Sequence, residues 1–222
     1  MSDSAELVQT VERVRVFVDY WNLQLTANER LGRDFTPDWR RIPRWLGVDA
    51  VRLSIGDASL PLRLDGLNVY ASYNPASAAD RRFKAWASNF LDRVPSVQVL
   101  CKARKPRYAP RCQACHRPID VCPHCSASVA GTVEKGVDVA IATDMIRLAW
   151  EESYDYAVLV RSDADYVPAV EFLISKGRRV IHVGFPPKGM DLAKTCWASL
   201  NMAPYLAGLE RSAPGRPTGA ST

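Results

Sequence analysis

The chain has 222 residues, 47% of them hydrophobic, which suits one α/β domain with some decoration and a substantial core. No run approaches the roughly 18–20 continuous apolar residues of a membrane helix, and the N-terminal Met1-Ser2-Asp3-Ser4-Ala5-Glu6 is acidic and polar, unlike a secretory leader, so a cytoplasmic location is expected. The net charge of +5 permits a nucleic-acid partner without requiring one.

Residues 1–12 read as a short flexible or helical lead. The β-branched run Val14 to Val18 predicts a strand that ends at Asp19. Leu23 to Leu31 predicts a helix stopped by Gly32. Pro37 to Leu46 predicts a second, with Thr36 as N-cap and an interior Pro43 that kinks or divides it. Residues 47–66 carry no clear period, and Leu53 to Ser59 suggests a loop. Leu67 to Ser72 predicts the second strand. Ala78 to Val94 predicts an amphipathic helix with Phe83, Trp86, Ala87, Phe90 and Leu91 on one face. Val97 to Cys101 is a third strand, after which the basic, cysteine-rich segment 102–130 interrupts the alternation. The second half predicts a helix over Val137 to Trp150, a strand over Ala157 to Val160, and a helix over Val167 to Lys176 closed by Gly177. A fifth strand over Arg179 to Val183 and a last helix over Asp191 to Leu200 follow. There is no internal repeat. Strands alternating with helices imply a three-layer α/β/α, Rossmann-like domain over residues 13–206. Its central sheet is expected to be mainly parallel and five- or six-stranded, with 102–130 as a small zinc-binding insertion and 207–222 as a disordered tail.

The acids fall where such a fold places ligands. Asp19 ends the first strand, and Asp163 and Asp165 follow the fourth. Asp138 lies in the first turn of the helix before the fourth strand. In an open α/β sheet, groups at the carboxyl ends of neighbouring strands converge at the switch point. Asn22, three residues past Asp19, reaches the same pocket if a helix starts there. Clustered carboxylates repel one another and lose hydration, and a divalent ion with hard oxygen ligands relieves both costs. Mg²⁺ or Mn²⁺ held in this way suits phosphodiester hydrolysis. Each acid alone also has an ordinary role: Asp138 as a helix N-terminal charge, Asp165 as a cap, Asp19 as a turn residue.

Three basic clusters accompany the acids: Arg40, Arg41 and Arg44; Arg81, Arg82 and Lys84; and Lys102, Arg104, Lys105, Arg107 and Arg111, with Tyr108 among them. Singly they are solvated faces, and together they suggest a surface that follows a phosphate backbone, with Tyr20, Trp21 or Tyr108 available to stack on bases. Cys112-Gln113-Ala114-Cys115 and Cys122-Pro123-His124-Cys125 form two Cys-x-x-Cys units, the spacing of a closed, structural Cys₄ zinc site. His116 and His124 are alternative ligands, and Cys101 and Cys196 read as buried thiols.

Three ordered segments resemble the signature segments of the NYN domain, a branch of the PIN-like nuclease superfamily, most nearly its LabA-type members. They are Val16-Phe17-Val18-Asp19-Tyr20-Trp21-Asn22, Glu134-Lys135-Gly136-Val137-Asp138 and Leu159-Val160-Arg161-Ser162-Asp163-Ala164-Asp165-Tyr166-Val167-Pro168. The resemblance spans about residues 14–205. It implies a Mg²⁺- or Mn²⁺-dependent ribonuclease with Asp19, Asp138, Asp163 and Asp165 as the acidic site and Asn22 as a polar partner. It further implies Lys135 and Ser162 as contacts to phosphate or water, and the flanking Arg104, Lys105 and Arg107 join them as candidate RNA contacts. The third segment departs from the family pattern: Arg161-Ser162 stand for Ser-Gly, and Ala164 for the middle Ser. Thr195-Cys196-Trp197 stands where an Ala-Asp pair is common. The expected partner is RNA. The alternatives are a silent RNA-binding or protein-interaction module and a phosphatase or DNA-directed nuclease with the same acids. The sequence leaves a homodimer or a protein partner open.

Overall fold

A computed structural model describes residues 10–129 and 131–211. Six strands form a parallel sheet: β1 (Glu12–Asp19), β2 (Leu62–Tyr73), β3 (Val97–Ala103), β6 (Tyr156–Val160), β7 (Arg179–Gly184) and β8 (Ala198–Asn201). They lie in the order β3-β2-β1-β6-β7-β8. The short strands β4 (Lys105–Arg107) and β5 (Gly131–Val133) pair antiparallel outside this sheet. The central strands are buried on both sides, which is why β6 reads as an unbroken apolar run instead of an alternating one.

Helices cover both faces. One core layer packs Val14, Val16 and Val18 with α1 (Tyr20–Leu31) and the helical stretch built from α2 (Ile42–Arg44), a π-turn (Trp45–Asp49) and α3 (Ala50–Ile55). The other packs Phe17, Ala157 and Leu159 with α5 (Val137–Trp150) and α6 (Val167–Ser175). Alternate residues of one strand thus feed opposite layers, as the two-residue side-chain period requires. The remaining helices are α4 (Ala78–Asn89), α7 (Met190–Thr195) and α8 (Leu206–Leu209). No helix among the described residues is long and apolar enough to cross a membrane.

Several sequence expectations need correction. The helix expected over 37–46 starts at Ile42, with Pro43 in its first turn, where a missing N–H costs nothing; Pro43 opens the helix and does not kink it. Pro37 instead bridges to Glu210. The stretch 47–66 is mostly ordered, because the helix continues through the π-turn to Ile55 and β2 begins at Leu62. Gly47 in that turn lets the helix lie against β2: a Cβ there would sit 2.6 Å from Leu64 Cδ1. The last helix ends at Thr195, and residues expected to extend it form edge strand β8. Cys196 is extended, and the Trp197 N–H donates to Val180 O, which starts the pairing with β7. A four-residue edge strand is too short to show a period. Residues 207–211, expected in the tail, are packed: Leu209 is buried, its carbonyl accepts from Asp38 N–H, and Arg33 pairs with Glu210. The rest of the expected tail, 212–222, and most of the expected lead lie outside the described residues.

Candidate metal centre

The sheet reverses its direction of growth at β1, with β2 on one side and β6 on the other. Val18 is registered against Val160, so the next residues, Asp19 and Arg161, leave the carboxyl edge side by side. Asp19 is the N-cap of α1: its Oδ1 accepts from Asn22 N–H at 2.8 Å, and the residue is 2% exposed. Gly136, at φ +79°, reverses the chain into α5 and sets Glu134 and Asp138 on either side of the turn. Its carbonyl accepts from Lys102 Nζ at 2.7 Å, which ties the turn to β3.

Asp19, Glu134 and Asp138 each bring one carboxylate oxygen to within 4.8 Å of the others, the only such group of His, Cys, Asp or Glu among the described residues. The Glu134 carboxylate also accepts from the Ser72 hydroxyl, and Ser72 Oγ accepts from Arg104 Nε at 3.0 Å. Tyr166 donates its hydroxyl to Asp138 Oδ1 at 3.2 Å. Burial raises the Asp138 carboxyl above its ordinary range, and like charge from Glu134, Asp163 and Asp165 adds to this against the Tyr166 hydrogen bond.

Arg161 lies across the acids. Its Nη1 pairs with Asp19 Oδ2, and its Nη2 lies 2.9 Å from Asp138 Oδ1 and 3.3 Å from Asp163 Oδ2. The guanidinium carbon stands 5.7 Å from the centre of the Tyr166 ring. Its backbone is held from below: buried His182 places Nε2 2.7 Å from Arg161 O, and burial lowers the imidazole pKa, so the neutral ring donates to that carbonyl. Gly189, at φ +75°, presses on the neighbouring residue, since a Cβ there would lie 2.9 Å from Ser162 Cα.

The chain belongs to the NYN domain family. The family model matches residues 13–199, and the NYN domain places the chain in the PIN-like nuclease superfamily. A Vibrio parahaemolyticus protein of unknown function has a similar fold: TM-score 0.53 at 19% identity over 87% of this chain and 95% of that one. Glycyrrhiza uralensis UGT73P12, solved with glycyrrhetinic acid 3-O-monoglucuronide, aligns at a TM-score of only 0.25 and 13% identity, over 78% of this chain and 28% of that one. No curated protein matches.

The NYN domain gathers some of the expected residues and not others. Asp19, Asp138 and Asp163 meet at Arg161. Asp163 caps the turn Ala164–Tyr166 by accepting from Asp165 N–H at 3.1 Å, while Asp165 is exposed at the rim. Asn22 contributes its backbone N–H to Asp19. Lys135 is exposed, and the buried Ser162 hydroxyl has no hydrogen-bond partner. Arg104 reaches Ser72 and lies 6.0 Å from the Trp21 ring centre. Exposed Lys105 and Arg107 stand on β4, with Lys105 paired to Val133, one residue before Glu134. Glu134 was not among the expected site residues, and Arg161 was expected only as a departure from the family pattern. Glu134 lies inside the quoted second segment, four residues before Asp138. Arg161 sits directly after a buried strand, where a lone charge is itself a signal.

Tyr20 belongs to an aromatic cluster with Trp21, Trp39, Phe83 and Trp86 and is buried, so it packs the core and does not stand free for a base. Trp21 is half-buried, its Nε1 donating to Ser72 O at 2.6 Å, and Tyr108 is fully displayed to solvent.

The two Cys-x-x-Cys units adopt the same turn. His116 N–H donates to Cys112 O and Ser126 N–H to Cys122 O, both at 2.9 Å, and His116 and Ser126 both have positive φ. Backbone N–H groups of Cys115 and Ala114 lower the Cys112 thiol pKa, and those of Cys125 and His124 lower that of Cys122. The two pairs are not joined: no three of the four sulfurs lie within 4.8 Å of one another. Cys196 is a buried thiol pushed up to about 12 by desolvation, and Cys101 is half-buried.

Proposed function

We propose that this NYN domain is a metal-dependent ribonuclease that hydrolyses RNA phosphodiester bonds. The observation that carries the reading is the convergence of Asp19, Glu134 and Asp138 on one small volume at the switch point of the sheet. Three hard oxygen donors at this spacing fit Mg²⁺ or Mn²⁺, with Asp163 and Asp165 at the rim. The ion, when bound, lowers the pKa of a coordinated water and offsets charge on the phosphate. The chain's own part is positional. Asn22 N–H fixes one Asp19 oxygen, the Tyr166 hydroxyl orients Asp138, and Ser72 orients Glu134.

Cations flank this edge for a polyanion. Arg104, Lys105 and Arg107 lie on and beside the β4–β5 ribbon whose second strand runs into Glu134. A cleft of about 720 Å³ is lined by Phe35, Phe83, Trp86 and Phe90 with Arg40 and Arg82, and buried Tyr20, the residue after Asp19, forms part of its wall. Aromatic faces beside arginines suit unpaired bases and their phosphates. The twin cysteine turns at the end of the ribbon would take a structural Zn²⁺ on Cys112, Cys115, Cys122 and Cys125, which requires the two turns to close on each other.

The test is cleavage of labelled single-stranded RNA in Mn²⁺ or Mg²⁺ by the wild type beside Asp138→Asn and Asp163→Asn, with DNA of the same sequence in parallel. Cleavage of RNA lost in both variants supports the reading. Binding of RNA without cleavage by the wild type would replace it with a second reading, a silent RNA-binding module. The ion pairs of Arg161 inside the acidic pocket favour that second reading.

A further inference from the structure

We infer that Arg161 is a resident cation of the acidic site, filling one of two adjoining cation positions, so that the domain takes a single divalent ion between Asp19, Glu134 and Asp138. This rests on the metal-dependent reading above. The two positions share Asp19 and Asp138. One is bounded on its far side by Glu134, the other by Asp163; Arg161 pairs with the two shared acids and with Asp163, and has no ion pair with Glu134.

The guanidinium is held there by charge-assisted hydrogen bonds, Nη1 donating to Asp19 Oδ2 and Nη2 to Asp163 Oδ2. Its side chain lies against three carboxylates and the face of Tyr166, while its buried Nε has no hydrogen-bond partner. It is also placed firmly. Its side chain is 12% exposed, its carbonyl is tied to His182, and β6 delivers it from a fully buried strand. Swinging out would leave the buried Asp19 carboxylate with the Asn22 N–H but without a counter-charge, an arrangement that proteins avoid. With one guanidinium against Asp19, Glu134, Asp138 and Asp163, a strong negative excess remains on the Glu134 side. One divalent ion nearly offsets it. The Asp163 side has no such excess to give a second ion.

The experiment is a count of bound Mn²⁺ on RNA-free full-length protein by electron paramagnetic resonance and calorimetry; Mn²⁺ prefers oxygen over the cysteine sulfurs. The wild type is expected to bind one Mn²⁺ per chain. Glu134→Gln should weaken that ion at least tenfold. Arg161→Ala, shown to be folded by circular dichroism, should take a second Mn²⁺. Two ions in the wild type, one ion in both wild type and Arg161→Ala, or no effect of Glu134→Gln would each overturn the inference and leave metal dependence standing. No Mn²⁺ on either protein would remove the metal-dependent reading, and the inference with it. Should Arg161→Ala fail to fold, the wild-type count and Glu134→Gln still decide.

Discussion

Arg161→Ala should cost more stability than any other single truncation at the acidic edge, provided metal is absent. Asp19 is 2% exposed, and the variant leaves its carboxylate with the Asn22 N–H but no counter-charge. Breaking a buried ion pair from one side costs about 3–5 kcal/mol. The contacts to Asp138 and Asp163, 45% and 39% exposed, are screened by water and add little. The lower end of that range, about 3 kcal/mol, is the expected figure in EDTA at neutral pH, because the Asn22 N–H still serves one Asp19 oxygen. For a chain of this size each kcal/mol moves Tm by about 2–4 °C, which gives a drop of about 6–12 °C. Mn²⁺ at about 100 times its Kd should return about 2.7 kcal/mol per ion, and the variant should gain more from it than the wild type does. Differential scanning calorimetry of both proteins in EDTA and in Mn²⁺ reads all four values. An Arg161→Ala protein that melts at or above the wild-type temperature in EDTA would refute the reasoning, because it would mean that the guanidinium does not hold Asp19.

Gly189→Ala should destabilise by about 2 kcal/mol, from the strain of φ +75° and the 2.9 Å approach to backbone at Ser162; an unchanged urea midpoint would show that the segment yields freely. Asp155 accepts from Arg13 N, Nε and Nη2, and these bonds hold its carboxyl below the ordinary range. Its contribution is therefore present above the ordinary carboxylate pKa and lost as pH falls below it. Asp155→Asn should cost about 1–2 kcal/mol at pH 7, and the gap from wild type should narrow towards pH 3; a constant gap would contradict this. The cysteine turns should bring about one zinc per chain through purification, measured by elemental analysis, and Cys115→Ser with Cys125→Ser should abolish it; a zinc-free wild type would end that assignment.

The parts of the fold that were readable from sequence are those with long buried periods. Apart from Asp19 and His182, β1, β6, β7 and α5 are apolar at their core positions, so the apolar pattern alone marks them. The errors fall where the pattern depends on a distant partner. Ala198 to Asn201 becomes a strand only because β7 offers an edge, and the helix from Ile42 to Ile55 survives a π-turn only because Gly47 fits against Leu64. Leu209 is fixed by Asp38, far away in the chain, and nothing local in a short Leu-Ala-Gly-Leu stretch announces it.

The candidate site divides along the same line. Asp19, Asp138 and Asp163 were readable because each stands at the end of a strand or the start of a helix, and the fold class brings such ends together. The relation of Arg161 to them was not, although its position beside Asp163 drew notice. What brings Arg161 to Asp19 is register: Val18 opposite Val160, one step from the edge on both strands. A slip of one residue would turn Arg161 into the opposite helical layer and leave Asp19 buried alone. The ion pair and the strand register therefore support each other. The central β1–β6 pairing carries a charge requirement as well as an apolar one. On this view a substitution at Asp19 is felt as a folding defect before it is felt as a loss of activity, and Asp19→Asn must be assayed for stability and for cleavage together.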